Sequence, residues 1–209
     1  MVGDEAVSPE FADRKAQLRA SRQAARRELP QTQQAAAGRA LSDAVLAYPP
    51  TQMAGTVAAY VSVGSEPSTR ALIFTLWKRG SYVLLPLLEP GGDLDWASYE
   101  GPDSLVTGPH GLLQPGEPPR GRTAIASADL VIVPALAVDR RGNRLGRGGG
   151  SYDRALARVG PAVPTIALLY DDELLDEVPA APHDRPVRAV ARPGHGITSL
   201  PPGLLPSSS

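Results

Sequence analysis

The chain has 209 residues, of which 42% are hydrophobic and 21% are charged, a balance typical of one soluble globular domain. Its formal net charge of −1 excludes a global field that would recruit nucleic acid or a membrane surface, so we expect neither partner. Cysteine is absent, which excludes disulfides and thiolate metal sites and is typical of a cytoplasmic protein. The longest uncharged apolar run, Leu130 to Val138, is too short for a membrane span. We expect a cytoplasmic monomer without a signal sequence.

The first helix is predicted from Ser8, a helix cap followed by Pro9 at the first helical position, to about Glu28. One face carries apolar residues at helical spacing: Phe11, Leu18, Ala25 and Leu29. A stripe beside that face carries basic residues at intervals of four, three and four: Lys15, Arg19, Arg22 and Arg26. By itself this stripe is typical of a solvated face whose aliphatic stems pack while the charges stay in water. The alternative is that its charges border a ligand site.

The next elements alternate between helices and strands. The pattern predicts a second helix from Gln31 to Ala47, a buried strand from Thr56 to Val63, a helix from Ser68 to Arg79 and a strand from Tyr82 to Leu88. This β-α-β order predicts a parallel sheet. The Gly- and Pro-rich segment from 89 to 122 gives no clear prediction.

The second half of the chain continues this alternation. The clearest buried strand runs from Asp129 to Val138. It is followed by a predicted helix from Ser151 to Val159, a strand from Val163 to Leu169, a short helix near Asp172 to Glu177 and a last strand near Val187 to Ala191. We therefore expect an α/β fold, a single three-layer domain of residues 1–192 with an open, mainly parallel sheet flanked by helices. The Pro-, Gly- and Ser-rich residues 193–209 are predicted to be a disordered tail.

The segment DRRGNRLGRGGGSYDR, residues 139–154, combines five glycines with a cluster of arginines, directly after the clearest strand. Glycines permit positive φ and consecutive N–H groups that point at an anion, and a helix starting at Ser151 adds its positive end, so phosphate is the predicted ligand. Known fingerprints do not fit, because Gly142 lacks a following Gly-Lys-Ser/Thr and Gly146-x-Gly148 meets Ser151 at the final position. The alternative is a tight connection before an exposed helix start.

The residue pattern alone also gives interpretations for three carboxylates, and only that of Asp153 is ambiguous. Asp153 could cap its helix, pair with Arg154 or bind Mg²⁺ beside phosphate oxygens, and a Mg²⁺ site would favour a second carboxylate. Asp184, taken by itself, is typical of a turn. Glu66, after the first strand, is typical of a solvated loop.

The run RLGRGGGSYDR resembles the signature of the 5-formyltetrahydrofolate cyclo-ligase (5,10-methenyltetrahydrofolate synthetase) family, which reads Arg-Leu-Gly-x-Gly-x-Gly, two aromatics and Asp. The resemblance extends to a Lys-x-x-x-Arg pair on the first helix, a Glu after the first strand and a late His-Asp-x-Pro motif. It implies an enzyme that uses ATP and Mg²⁺ to cyclise 5-formyltetrahydrofolate to 5,10-methenyltetrahydrofolate, with release of ADP and phosphate. In this family the formyl oxygen attacks the γ-phosphate, and N10 then closes on the activated carbon.

The resemblance implies a role for each matching residue. ATP would contact Lys15, Arg19, Arg144, Leu145, Gly146, Arg147, Gly148, Gly149, Gly150, Ser151 and Tyr152. Arg144 and Arg147 would be catalytic through charge stabilisation, while Asp153 and Asp184 would hold Mg²⁺. The folate would contact Val61, Glu66 and Tyr152, with two N–H groups of its amino-pyrimidinone ring on the Glu66 carboxylate.

Several positions depart from the family pattern. Ser151 replaces one of the paired aromatics, Gln114 replaces the Glu of a Gly-x-x-Glu-Pro turn, and Arg188 stands where an Asp is usual. Ser151 and Gln114 favour the alternative hypothesis, a catalytically degenerate nucleotide- or polyphosphate-binding protein on the same fold. RNA binding by the arginine-rich first helix is disfavoured because Phe11 is its only aromatic residue.

Overall fold

The computed structural model describes residues 8–201. Within these residues there are five α-helices: α1 Pro9–Glu28, α2 Gln31–Ala47, α3 Pro49–Met53, α4 Arg70–Lys78 and α5 Ser151–Leu156. The predicted bounds of the first two helices are confirmed, and the Ser8 hydroxyl caps α1 by accepting a hydrogen bond from Phe11 N at 3.3 Å. Over the same range, every helix is too short or too polar to span a lipid bilayer.

Twelve strands lie in the described part of the chain: β1 Thr56–Ala58, β2 Tyr82–Leu88, β3 Leu94–Ser98, β4 Leu105–Thr107, β5 Leu113–Pro115, β6 Leu130–Pro134, β7 Ala137–Asp139, β8 Arg144–Leu145, β9 Thr165–Leu168, β10 Leu174–Leu175, β11 Ala189–Arg192 and β12 Gly196–Ser199. Seven form the main sheet, in the order β12-β11-β9-β6-β1-β2-β3. The five inner strands are parallel, and the antiparallel β12 and β3 form the two edges. The predicted α/β fold with a mainly parallel, open sheet is confirmed.

Both faces of the main sheet are covered, because its buried strands send alternate side chains into two apolar cores. In β6, Leu130 points into one core and Val131 into the other. The first core is shared with α2 and α4, and the second with α5 and a 3-10 turn at Arg122–Ser127. This gives the expected three layers.

The two central strands are shorter than predicted because the chain leaves the sheet at the edge where ligands are expected. β1 ends at Ala58 instead of Val63. β6 ends at Pro134, and the chain then turns into β7, which belongs to a small second sheet of order β10-β7-β8. This turn frees the carbonyl of Ala135, which accepts a hydrogen bond from Arg26 Nη2 at 2.6 Å. The main-chain groups of such segments are free of the sheet's hydrogen bonds and can therefore contribute to a site.

Three other segments differ from their predictions. α5 ends at Leu156, earlier than predicted. The short helix predicted near residues 172–177 is a 3-10 turn, Asp171–Glu173, followed by β10. The segment from 89 to 122, which gave no clear prediction, contains β3, β4 and β5.

The C-terminal segment differs from the disordered tail predicted for residues 193–209. β12 pairs antiparallel with β11, from Ala189 opposite Ser199 to Arg192 opposite Gly196. Gly196 has a φ of +65°, which suits glycine and makes the tight turn between the two strands possible. Main-chain pairing needs no apolar composition, which is why the composition did not predict this strand. Residues 202–209 lie outside the described part of the chain.

Candidate active site

A cavity of about 500 Å³ lies at the carboxyl ends of the parallel strands. Its walls come from α1, from the chain after β1 and from the loop between β8 and α5. Of the residues predicted for the site, all but Leu145 line this cavity. The Leu145 side chain is buried beneath the loop, where it packs with Leu136, Ala137 and Val178.

α1 faces the domain with its charged stripe rather than with its apolar face. On the stripe, Lys15 is 8% exposed and Arg26 is 2% exposed, whereas on the apolar face Phe11 is half-buried and Ala25 is exposed. Each basic residue bonds to a different part of the domain: Lys15 to Asp184, Arg19 to Gly146, Arg22 to Asp172 and Arg26 to Glu173. The interpretation of the stripe as a solvated face is therefore wrong, and Lys15 and Arg19 line the cavity.

The glycine loop, residues 146–150, has carbonyls held by arginines and N–H groups without partners. Arg19 Nε donates to Gly146 O at 3.0 Å, and Arg154 Nη2 donates to Gly149 O at 3.1 Å. Gly148 has a φ of +106°, and a Cβ there would lie 3.5 Å from the Arg19 guanidinium carbon. None of the N–H groups of residues 146–150 donates a hydrogen bond within residues 8–201. Arginine side chains from α1 and α5 therefore hold the shape of the loop, while its main-chain N–H groups remain available to an anion.

Arg144 and Asp153 form an ion pair at the base of this loop. Arg144 Nη2 donates to Asp153 Oδ1 at 2.7 Å, and Arg185 N donates to the same oxygen at 3.1 Å. Asp153 makes no capping bond to α5 and does not pair with Arg154, so neither structural alternative describes its contacts. Its second oxygen, Oδ2, has no hydrogen-bond partner among residues 8–201.

Asp184 is held in a similar way. Its Oδ2 accepts from Lys15 Nζ and, at 2.6 Å, from Ala181 N, while Oδ1 has the His183 ring at 3.8 Å. Each of the two carboxylates therefore keeps one oxygen without a donor in hydrogen-bond range. Mg²⁺ takes one or two carboxylate oxygens and completes its shell with phosphate oxygens and water, so this donor set fits the ion. Residues 8–201 contain no cluster of three or more acidic, His or Cys side chains suited to a metal.

The cavity lining also contains apolar residues and a further carboxylate, Glu66. The apolar residues include Val61, Val63, Pro86, Leu88, Leu94, Leu112 and Leu113. Glu66 Oε2 accepts from Val63 N at 2.8 Å, and Oε1 accepts from Arg147 Nε at 3.0 Å. The Arg147 side chain is 53% exposed, so the structure pairs two predicted site residues with each other at the rim of the cavity.

Two tyrosines also line the cavity, Tyr60 and Tyr152. Burial raises the pKa of both phenols, and the Glu66 carboxylate adds to the rise of each pKa. The Arg144 guanidinium carbon lies 5.8 Å from the centre of the Tyr152 ring. Both phenols are therefore neutral at physiological pH and can act as hydrogen-bond donors.

The sequence did not predict the buried ion pair between Arg26 and Glu173. Arg26 Nε and Nη2 donate to the two Glu173 carboxylate oxygens at 2.6 and 2.8 Å, with both side chains almost fully buried. Burial raises the pKa of Glu173, and the hydrogen bond from Arg26 opposes that rise. The signal for this contact was the position of Arg26 on the same stripe as Lys15, while nothing in the sequence pointed to Glu173.

A second unpredicted contact fastens the glycine loop to the turn between β2 and β3. Arg154 Nη2 donates to Gly92 O at 2.6 Å as well as to Gly149 O. The adjacent Asp93 accepts hydrogen bonds from Arg158 at 3.0 and 2.6 Å, and these bonds lower the pKa of Asp93 to about 2. The arginines after the loop therefore hold its shape instead of lining the cavity.

Comparison with known proteins identifies relatives of the chain as a whole. The sequence model of the 5-formyltetrahydrofolate cyclo-ligase family matches residues 12–193. The 5-formyltetrahydrofolate cyclo-ligase of Mycolicibacterium smegmatis is 47% identical over 150 residues, which cover 69% of this chain and 77% of that protein. The 5-formyltetrahydrofolate cyclo-ligase of Escherichia coli K12 is 34% identical over 171 residues, which cover 80% of this chain and 94% of that protein.

Solved structures agree with the fold. The NMR structure of Aquifex aeolicus 5,10-methenyltetrahydrofolate synthetase matches with a TM-score of 0.76 at 22% identity, covering 93% of this chain and 94% of that chain. A 5,10-methenyltetrahydrofolate synthetase from Mycoplasma pneumoniae matches with a TM-score of 0.68 at 18% identity, covering 84% of this chain and 96% of that chain. At these identities the likeness concerns the fold alone.

Proposed function

This chain belongs to the 5-formyltetrahydrofolate cyclo-ligase family, and on that premise we propose how its cavity carries out the family's reaction. The protein is an ATP-dependent ligase that cyclises 5-formyltetrahydrofolate to 5,10-methenyltetrahydrofolate, with ADP and phosphate as the other products. The identity of 47% to a relative named as a cyclo-ligase favours this activity over a catalytically degenerate nucleotide-binding protein.

The observation that supports this assignment best is that one cavity combines a cationic part with an apolar part. Lys15, Arg19 and Arg144 line it together with loop N–H groups that have no protein partner within residues 8–201. The apolar part adds the Glu66 carboxylate to aliphatic walls. Phosphate groups fit the cationic part, and a flat heterocycle with N–H groups fits the apolar part with its carboxylate.

We assign the cationic part to ATP. The residues proposed to contact it are Lys15, Arg19, Arg144, Gly146, Arg147, Gly148, Gly149, Gly150, Ser151 and Tyr152, with Leu145 supporting the loop from beneath. Arg147 has to leave Glu66 to reach a phosphate. The Arg147 side chain is 53% exposed, so water can solvate the guanidinium when the ion pair breaks, while the 8% exposed Glu66 keeps its hydrogen bond from Val63 N.

Mg²⁺ would be held by Asp153 and Asp184 through the carboxylate oxygens that have no donor within residues 8–201. When bound, the ion neutralises charge on the phosphate oxygens. Arg144 and Lys15 keep the other two carboxylate oxygens fixed, so the two ligands are oriented before the ion arrives.

The reaction needs positioning and charge stabilisation more than acid–base chemistry. The formyl oxygen bonds to the γ-phosphorus while the bond from that phosphorus to ADP breaks. The N10 lone pair then attacks the formyl carbon, phosphate leaves with the former formyl oxygen, and the N10 proton goes to water. Arg144 and Arg147 stabilise the charge on the transferring group, and Val61, Glu66 and Tyr152 hold the folate against it.

We further propose that the protein is a monomer that works in the cytoplasm. Sedimentation at a mass well above 21.9 kDa would contradict the first expectation, and recovery of the protein outside the cytoplasmic fraction would contradict the second.

The assay that tests the activity combines the protein with ATP, Mg²⁺ and 5-formyltetrahydrofolate and follows the methenyl product. We expect product in the wild type and a fall in kcat of about two orders of magnitude in Arg147→Ala, because one donor to the transferring group is lost. Arg141→Ala is the matched control, an exposed arginine of the same segment outside the cavity lining. Absence of product in the wild type would contradict the activity, and equal rates in both variants would contradict the role of Arg147.

The proposed Mg²⁺ site is tested by Asp153→Asn, which keeps an oxygen for the Arg144 hydrogen bond but loses the charge that Mg²⁺ requires. We expect the Mg²⁺ concentration for half-maximal activity to rise steeply, with only partial recovery at high Mg²⁺. The control is Asp172→Asn, which removes an exposed carboxylate outside the cavity. A variant that needs more ATP but no more Mg²⁺ would mean that Asp153 serves only to orient Arg144.

A further inference from the structure

The hydroxyl of Tyr60 is a buried donor without a partner, and Tyr60 lines the cavity. The residue is 3% exposed, and its Oη has no hydrogen-bond partner among residues 8–201. Buried polar groups in folded proteins are nearly always hydrogen-bonded, so an unpaired hydroxyl calls for a physical reason. Loose packing is not the reason, because Tyr60 belongs to the first core and Thr69 Oγ1 donates to its main-chain oxygen at 2.6 Å.

The charged groups that influence this phenol are bonded elsewhere. Arg26 and Glu173 are paired with each other at 2.6 and 2.8 Å, and Glu66 accepts from Arg147 at 3.0 Å. The pKa of Tyr60 lies well above its usual value, first because the hydroxyl is buried and second because of the Glu66 carboxylate. The hydroxyl therefore keeps its proton at physiological pH and has that proton to donate.

We propose that the Tyr60 hydroxyl donates a hydrogen bond to the ring carbonyl of the folate's amino-pyrimidinone, beside the N–H groups assigned to Glu66. This inference rests on the proposed function and adds a specificity-determining residue to it. The edge of an amino-pyrimidinone presents N–H donors next to a carbonyl acceptor, and a carboxylate can match only the donors. A neutral, buried hydroxyl supplies the donor that Glu66 lacks.

A phosphate oxygen is a poorer partner for this hydroxyl. Lys15, Arg19 and Arg144 already offer phosphates charged donors, whereas Tyr60 is neutral and lies within the field of the Glu66 carboxylate, which repels anions. A site built to bond one polar group of a ligand strongly rejects analogues that lack that group. Tyr60 therefore selects for a ring that carries a carbonyl at this position.

The test compares Tyr60→Phe with Tyr99→Phe, which removes a hydroxyl from an equally buried tyrosine outside the cavity lining. In Tyr60→Phe we expect the Kd for 5-formyltetrahydrofolate to rise about tenfold, since one hydrogen bond is lost. The Kd for ATP stays unchanged, and the melting temperature of the free protein stays equal or rises, because the unpaired hydroxyl is gone. The same fold-change is expected for the pterin ring alone, without the formyl group and the aminobenzoylglutamate. In Tyr99→Phe all affinities stay at the wild-type values.

Each other outcome overturns the proposal in its own way. Unchanged folate affinity in Tyr60→Phe would mean that water or protein already satisfies the hydroxyl. A lower melting temperature with equal weakening of ATP and folate would mean a structural role. Weaker binding of 5-formyltetrahydrofolate but not of the pterin ring would place the hydrogen bond on another part of the substrate. If the wild type itself fails to bind 5-formyltetrahydrofolate, the proposed function falls together with this inference, and that result appears before any substitution is made.

Discussion

The two long helices at the start of the chain are attached to the domain by opposite means. The inward side of α2 includes Leu41, Val45 and Leu46, all buried in the core that the sheet shares with α4. The buried side chains of α1 are Lys15 and Arg26, each paired with a carboxylate. The structure therefore separates a helix that stabilises the fold from a helix that borders the site.

This difference has an energetic meaning. Burying a Leu or Val side chain stabilises the folded state by about 1.5–3 kcal/mol, wherever the rest of the core provides contact. A buried ion pair contributes little net stability compared with apolar residues of the same volume, but removing one partner is strongly destabilising. The contacts of this stripe are also hydrogen bonds, which are directional, so α1 is fixed in register with the segments that carry Asp184, Gly146 and Glu173. The attachment of α1 thus sets the geometry of the site.

The largest effect is expected from Arg26→Met, which leaves the Glu173 carboxylate buried without its cation. We expect a loss of about 3–5 kcal/mol in the free energy of unfolding at pH 8. ATP should also bind more weakly, because Lys15 and Arg19 lie on the same helix. Urea unfolding and ATP titration measure the two effects.

The pH dependence of this variant identifies the cause. Without Arg26, burial of Glu173 is opposed mainly by the hydrogen bond from Tyr170 N, so the pKa of Glu173 in the folded state rises further above the unfolded value of about 4.3. A raised folded-state pKa gives stability that is present below the unfolded pKa and is lost as the pH rises through the folded pKa. The loss should therefore be smaller at pH 5 than at pH 8. Adding Glu173→Leu should restore stability, and a loss that is greater at pH 5 would contradict the account.

A smaller loss, of about 3 kcal/mol, is expected from Leu41→Ala in α2, because it leaves a cavity in the core. Since no charge is involved, the loss should be the same at pH 5 and pH 8. The ATP affinity of the folded variant should equal that of the wild type. A fall in ATP affinity would mean that α2 also positions the site, and it would remove the contrast between the two helices.

The smallest effect is expected from Arg22→Ala, which breaks the one ion pair of the α1 stripe whose carboxylate is well exposed. Arg22 Nη1 lies 3.2 Å from Asp172 Oδ2, and the Asp172 side chain is 71% exposed. The free energy of unfolding should fall by less than about 1 kcal/mol, and the difference should shrink at high salt. A loss comparable to that of Arg26→Met would mean that the exposure of an ion pair on this helix does not predict its contribution to stability.

Local signals in the sequence predicted much of this structure. The Ser8 cap with Pro9 defines the start of α1, because this signal acts within one helical turn. The β-α-β order predicted the parallel sheet, and the glycine-arginine segment predicted the place of the cavity. These features depend on residues that are close together in the sequence, so the sequence pattern can predict them.

Contacts between distant segments could not be predicted in the same way. The basic stripe of α1 fitted a solvated face, since the carboxylates that bury it lie more than 140 residues away. Asp153 offered three interpretations, and its actual partner, Arg144, lies in β8 on the other side of the glycine loop. The unpaired hydroxyl of Tyr60 is likewise a property of packing: the sequence predicted a buried strand there but not which of its polar atoms would lack a partner.

The strand β12 covers one side of β11 at an edge of the main sheet. It is the edge strand beside β11, whose Ala189, Val190 and Ala191 are buried. A chain ended at Arg192, where composition places the domain boundary, would expose the main-chain N–H and C=O groups of a parallel apolar strand. Such an edge is a template for pairing with another molecule and for aggregation. The short β12, Gly-Ile-Thr-Ser, protects that edge with a strand too small and too polar to recruit a further copy.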